Sequence, residues 1–134
     1  MPTDEVAREG ADAEVVVMSS ARELAKALAA SREFQTFDAA QWALIADRAV
    51  YERLQTFERR REEVRGASAW GGASAADQSA LEEEWEPLSQ MPVLRAFLVA
   101  QGELFAFLQD VGTVLSAEVG IDYGALAGSG GCCG

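Results

Sequence analysis

Histidine is missing altogether from the 134 residues. That removes the usual general base near neutral pH, and with it the Ser-His-Asp and Cys-His arrangements and every imidazole metal ligand. A di-iron site inside a helical bundle draws on Glu-x-x-His pairs, so it is not expected either. Cysteine is almost as scarce. The two present, Cys132 and Cys133, are adjacent and nearly terminal, where they cannot staple a fold. Basic residues number 11 against 22 acidic ones, a formal net charge of −11. Nucleic-acid and anionic-membrane binders need a positive field, so direct nucleic-acid binding is not expected. No strand pattern competes anywhere, and no apolar run opens the chain as a secretory signal would. Apolar stretches are broken by charges too often to span a membrane. The chain is read as cytoplasmic, and at this length as one domain with room for a real core.

What the sequence does have is helical periodicity. The longest stretch is Met91 to Val119, where Pro92 suits a first helical position and Gly120 the residue just past the end. Leu94, Phe97, Leu98, Phe105, Leu108, Leu115 and Val119 share one face of it, widened by Ala96, Ala100, Phe107 and Val114. So wide an arc needs cover from more than one neighbour, which makes this the central helix or one shared between subunits. Upstream, Val17, Ala21, Leu24 and Leu28 mark a first helix that begins near Glu14 after an unstructured acidic start over residues 1–13. Ser31 caps a second helix, across a bend or a kink, and Asp47 caps a third that stops at Gly66. GASAWGGA (66–73) reads as a loop with Trp70 packing it onto the bundle. Ser74 with Asp77 resembles a capping box opening a fourth helix, which Pro87 ends or bends. The expectation is an all-α bundle of about five helices over 14–124, oligomeric, followed by a flexible glycine-rich tail over 125–134.

Within that frame some residues invite roles beyond packing. The Ala96, Ala100, Phe107 and Val114 side of the long helix is the candidate subunit interface; there, replacing Phe107 should dissociate subunits and replacing Leu108 should damage the fold. Glu82, Glu83, Glu84 and Glu86 form an acidic run suited to docking a partner. Arg59, Arg60 and Arg61 are balanced by neighbouring glutamates, and Arg61, on an apolar stripe, is expected either to snorkel or to pair with the acids at 82–86.

In ARELAKALAASREFQTFDAA (21–40) and again in MPVLRAFLVAQGELFAFLQDVGTVLSAEVG (91–120), the chain resembles the YlbF/YmcA family of small helical bacterial regulators. Pro92-Val93, Ala100-Gln101 and Asp110-Val111 sit where the family has them, and Met91 stands where an Asn commonly precedes the proline. The resemblance implies a non-enzymatic adaptor in a complex of YlbF-like, YmcA-like and YaaT-like proteins. Such complexes modulate ribonuclease Y-dependent mRNA processing, and through it competence, sporulation and biofilm formation. It also implies a 4Fe–4S cluster shared between partner subunits, and Cys132 and Cys133 are the positions onto which that ligand role can be carried. Adjacent Cα atoms lie ~3.8 Å apart, short of the ~4.4 Å at which unstrained disulfides begin, so these two thiols are not expected to bridge each other. Two further readings stand beside this one. The Trp70-Gly71-Gly72 turn between helices resembles an exported WXG-type helical hairpin, and the chain could be a purely structural helical oligomer.

Overall fold

In the computed structural model, residues 3–121 are described, with side chains from residue 8 onward. Five helices follow in order: α1 Thr3–Ala29, α2 Arg32–Ala46, α3 Arg48–Ala69, α4 Ala75–Ser89 and α5 Pro92–Val119. There is no strand among the described residues, and the all-α expectation with a long last helix holds. The chain divides into two compact units, Met1–Gln35 and Thr36–Gly134, with the boundary inside α2 and inside the stretch expected to form one domain. The expected tail, 125–134, lies outside the described residues.

In the first unit α1 begins at Thr3, well before the expected start near Glu14. The acidic opening is helical because Arg8, Glu9, Ala11 and Ala13 are good helix formers, and the lone Gly10 costs only about 1 kcal/mol relative to alanine. Ser31 makes the break between α1 and α2 a true helix boundary. Its hydroxyl donates back to the Leu28 carbonyl at 2.6 Å and accepts the Phe34 N–H at 3.2 Å, closing one helix and capping the next. Gln35 Nε2 adds a bond to the Ala29 carbonyl at 2.7 Å.

In the second unit the caps read from the sequence are made. Asp47 Oδ1 accepts the Val50 N–H at 3.2 Å, starting α3. Ser74 and Asp77 form a reciprocal capping box, Asp77 N–H donating to Ser74 Oγ at 3.2 Å and Ser74 N–H to Asp77 Oδ2 at 3.0 Å. The end of α3 differs from the expectation. The helix runs through Gly66 to Ala69, and the left-handed residue is Gly71, at φ 72°. Gly71 N–H bonds the Ser68 carbonyl at 3.1 Å and Gly72 N–H bonds the Ala67 carbonyl at 2.8 Å, the Schellman pattern. A helical glycine weakens a helix without ending it, whereas this motif satisfies carbonyls that would otherwise be left open. Pro87 falls in the last turn of α4, and two residues separate Ser89 from Pro92, where the chain turns by 97° into α5.

The core sits around that corner. Leu44 from α2, Val50 and Phe57 from α3, Leu88 from α4 and Leu94 from α5 are buried together, Leu88 and Leu94 each only 1% exposed. Two ring contacts extend it: Phe57 against Trp85 at 5.1 Å between centroids, and Phe37 against Phe97 at 5.4 Å. Met91 packs against the core and takes a contact from Arg53 to its sulfur at 3.6 Å. Phe34, Trp42 and Ile45 of α2 are exposed, whereas Leu44 of the same helix is buried.

The outer half of α5 departs most from the expectation of a covered helix. Leu94 and Ala100 are buried, but Phe105 is 61% exposed, Leu108 40%, Leu115 41% and Val119 54%. Length explains this within the second unit. At about 1.5 Å per residue, the 28 residues of α5 run ~42 Å, and the 15 residues of α4 run ~22 Å. A helix half as long, set at 97°, cannot follow α5 to its end.

Truncating Leu88 or Leu94 to alanine is expected to lower the unfolding free energy by about 2–5 kcal/mol, and truncating the exposed Val99 by less than about 0.5 kcal/mol, measured by urea denaturation. A pH prediction attaches to the capping box. Hydrogen bonds from the backbone of Ser74, and then from its hydroxyl, hold the Asp77 carboxyl below its ordinary value of 3.8. Its support for α4 is therefore present above that ordinary value and lost as pH falls through the lowered one. Protection of the first-turn amides of α4, taken relative to their intrinsic exchange rate at each pH, should fall on that descent, and Asp77→Asn should remove that pH-dependent fall.

Candidate interaction surfaces

The α3–α4 pair presents the first surface. Phe57 and Trp85 stack at the floor of an open cleft of about 350 Å³, with Leu81 and Gln78 beside them and Arg61 and Glu82 at the rim. The acids expected to act as one docking face are divided in their duties. Glu84 reaches across the pair and binds Arg60, Glu82 borders the cleft, and Glu83 and Glu86 face solvent. The cross-helix partner is thus Arg60, where Arg61 was the one singled out; Arg61 pairs instead with Glu58 on its own helix. Both arginines lie within one turn of Phe57, Arg60 reaching Glu84 across the pair and Arg61 lining the cleft while its guanidinium turns back to Glu58. Arg65 pairs with Glu62 at 2.7 Å and Arg48 with Glu52 at 3.0 Å, so four of the six arginines of α3 are matched by a glutamate.

Trp70 corrects a second expectation. It does not pack the loop onto anything: it is the C-cap residue of α3 and is 92% exposed. The Schellman turn fixes the backbone there through Ala67, Ser68, Gly71 and Gly72, leaving the indole no neighbour to fold against.

On α5 the residues expected at a subunit interface are not alike. Ala96 and Val114 are exposed, Phe107 is half-buried, and Ala100 is buried, so it has almost no surface to offer another chain. The expected contrast between neighbours is also inverted, Leu108 being more exposed than Phe107. What the periodicity did not reveal is that the stripe continuing the core, Phe105, Leu108, Leu115 and Val119, is itself uncovered. The signal was in the lengths: one helix of 28 residues beside a fourth helix of 15. On α1, Val15, Val16, Val17 and Met18 are likewise exposed.

Cys132 and Cys133 lie outside the described residues. Among the described residues, no group of three or more histidine, cysteine, aspartate or glutamate side chains is placed to hold a metal ion. No single helix there is long and apolar enough to cross a membrane.

Among the described residues the fold is all-helical, with many of its polar side chains in helix caps and ion pairs and its apolar faces partly open. The chain belongs to the YlbF/YmcA family, described as control of competence regulator ComK, whose model matches residues 17–120. That match covers the end of α1 and all of α2 to α5, and it assigns the chain to a regulatory family. No curated protein and no solved structure matches it.

Proposed function

We propose that this protein is a cytoplasmic, non-enzymatic adaptor that works by presenting helix faces to other proteins. Its partners on this reading are YmcA-like and YaaT-like proteins, and the assembly acts on ribonuclease Y-dependent mRNA processing and, through it, on competence, sporulation and biofilm control. The observation that carries the reading is the uncovered apolar surface of α1 and the outer half of α5, in a chain matched to a regulatory family. Contiguous exposed apolar surface on a small protein marks a contact site more often than a solvated one.

Affinity purification of the tagged chain from its native cell, under anaerobic conditions, is expected to recover a YmcA-like and a YaaT-like protein together. Recovery of the chain without either would overturn the reading. Glu83 and Glu86 are exposed members of the acidic run that neither line the cleft, as Glu82 does, nor reach across to Arg60, as Glu84 does. Reversing both to lysine is expected to reduce partner recovery severalfold while leaving the thermal midpoint within a degree or two, since exposed charges contribute little to folding.

The cysteine pair belongs to the same proposal. Two thiolates supply at most half of a four-thiolate cluster site, so the remaining ligands would come from other chains, and iron supply would bear on assembly. A brown complex is expected on co-expression with the partners. Changing Cys132 and Cys133 together to serine should remove its visible absorbance and iron without changing its helical circular dichroism. A complex that keeps its full colour and iron after that change would mean these thiols are not ligands.

A further inference from the structure

The cleft between α3 and α4 has an apolar floor and a charged rim. Trp85 and Leu81 are half-buried beside the nearly buried Phe57, so apolar surface at the floor still meets water. At about 350 Å³ the cleft lies at the small end of ligand pockets, with room for a few side chains of another molecule.

The rim carries an excess of one sign. From Ala75 to Ser89, α4 has five acidic residues, Asp77, Glu82, Glu83, Glu84 and Glu86, and no basic one. Two of the five are engaged: Asp77 in the capping box with Ser74, and Glu84 with Arg60. Glu82, at the cleft, is exposed and makes no hydrogen bond or ion pair among the described residues. Across from it Arg61 has its guanidinium on Glu58, which meets its charge, and Gln78 is neutral. Glu58, Arg61 and Glu82 together leave the opening with a net negative charge.

These two features select the visitor. A purely apolar group would strip water from Glu82 without supplying a counter-charge, and an acidic one would be repelled. An apolar side chain with a lysine or arginine beside it answers both: its hydrocarbon covers Trp85 and Leu81, and its cation meets Glu82. The net charge of −11 acts in the same sense at longer range, drawing basic segments in.

We propose that the α3–α4 cleft is a docking site for a basic, apolar segment of a partner protein, its apolar side chain on Trp85 and Leu81 and its cation on Glu82. This rests on the adaptor reading and adds the chemistry of what is bound. Peptide binding and recovery of whole partners from the cell are separate measurements, so either can fail alone.

Trp42 and Trp70 are exposed, so changing both to phenylalanine in the full chain leaves Trp85 as the single tryptophan, a reporter at the cleft floor. The probe is the blocked peptide acetyl-LKKLLKKL-amide, which should shift the Trp85 emission to the blue and saturate. Peptides with serine for every leucine, or glutamate for every lysine, should bind at least about tenfold more weakly. Glu82→Gln should weaken the leucine–lysine peptide severalfold, as should Gln78→Arg, which sets a cation one turn from Glu82. Glu83→Gln removes the same charge about 100° further round α4 and should leave the affinity unchanged. Helical circular dichroism should be the same for every variant. If the tryptophan changes disturb it, titration calorimetry on chains that keep all three tryptophans reads the same comparisons. Absence of saturable binding overturns the proposal. So does equal loss from the Glu82 and Glu83 changes, or equal binding of the serine peptide, since either would mean that net charge alone draws the peptide.

Discussion

The corner between α4 and α5 is what the second unit depends on. Two leucines, Leu88 just before it and Leu94 just after, are almost fully buried, and two helices, α2 and α3, deliver Leu44, Val50 and Phe57 onto them. Fully burying a side chain of this kind contributes roughly 1.5–3 kcal/mol, and here nearly all of that gain is gathered around one turn. Pro92 makes the turn sharp without leaving a donor unpaired, and Met91 fills the angle from the N-cap position. Remove the corner and α3 and α4 remain a pair of helices joined by a good turn, with little else to hold them.

A core so localised leaves the far ends of its helices without cover. The outer half of α5 is not weakly helical: its apolar residues, its C-terminal glycine at φ 73° and its regular spacing define it as well as its buried half. What it lacks is a neighbour within its own unit. The polar groups tell the same story from the other side. Ser31, Asp47, Ser74 and Asp77 are occupied in helix caps, and Arg48, Arg60, Arg61 and Arg65 in ion pairs with glutamates. Side chains used in this way specify where helices start and how they are spaced.

The helices were legible in the sequence because their boundaries are written in local chemistry. A serine or aspartate whose oxygen can reach a backbone N–H two or three residues on marks a start wherever the chain is placed, and Ser31, Asp47 and Ser74 all do so. The end of α3 was misread because one glycine was weighed by itself, when the motif needs a left-handed residue and a following N–H together, as Gly71 and Gly72 supply. Burial was less legible than helicity. Periodicity places Leu94 and Leu108 on the same stripe, but only the lengths and angle of the neighbouring helices decide that one is covered and the other open. Trp70 was misjudged for a related reason: an apolar residue in a loop is expected inward, yet the turn that holds it offers no surface to meet.

That an apolar stripe should outrun its own core has a consequence for how such a protein can be regulated. If α5 simply ended after Ala100, the corner and its core would still be satisfied, so the remaining turns are not explained by the stability of the second unit. Each exposed apolar position there adds a solvation cost that is removed only when another surface arrives. The free energy of that removal is then available to assembly rather than to folding. Because Leu94 and Phe105 belong to one continuous helix, a partner gripping the outer turns also bears on the orientation of the turns that enter the core.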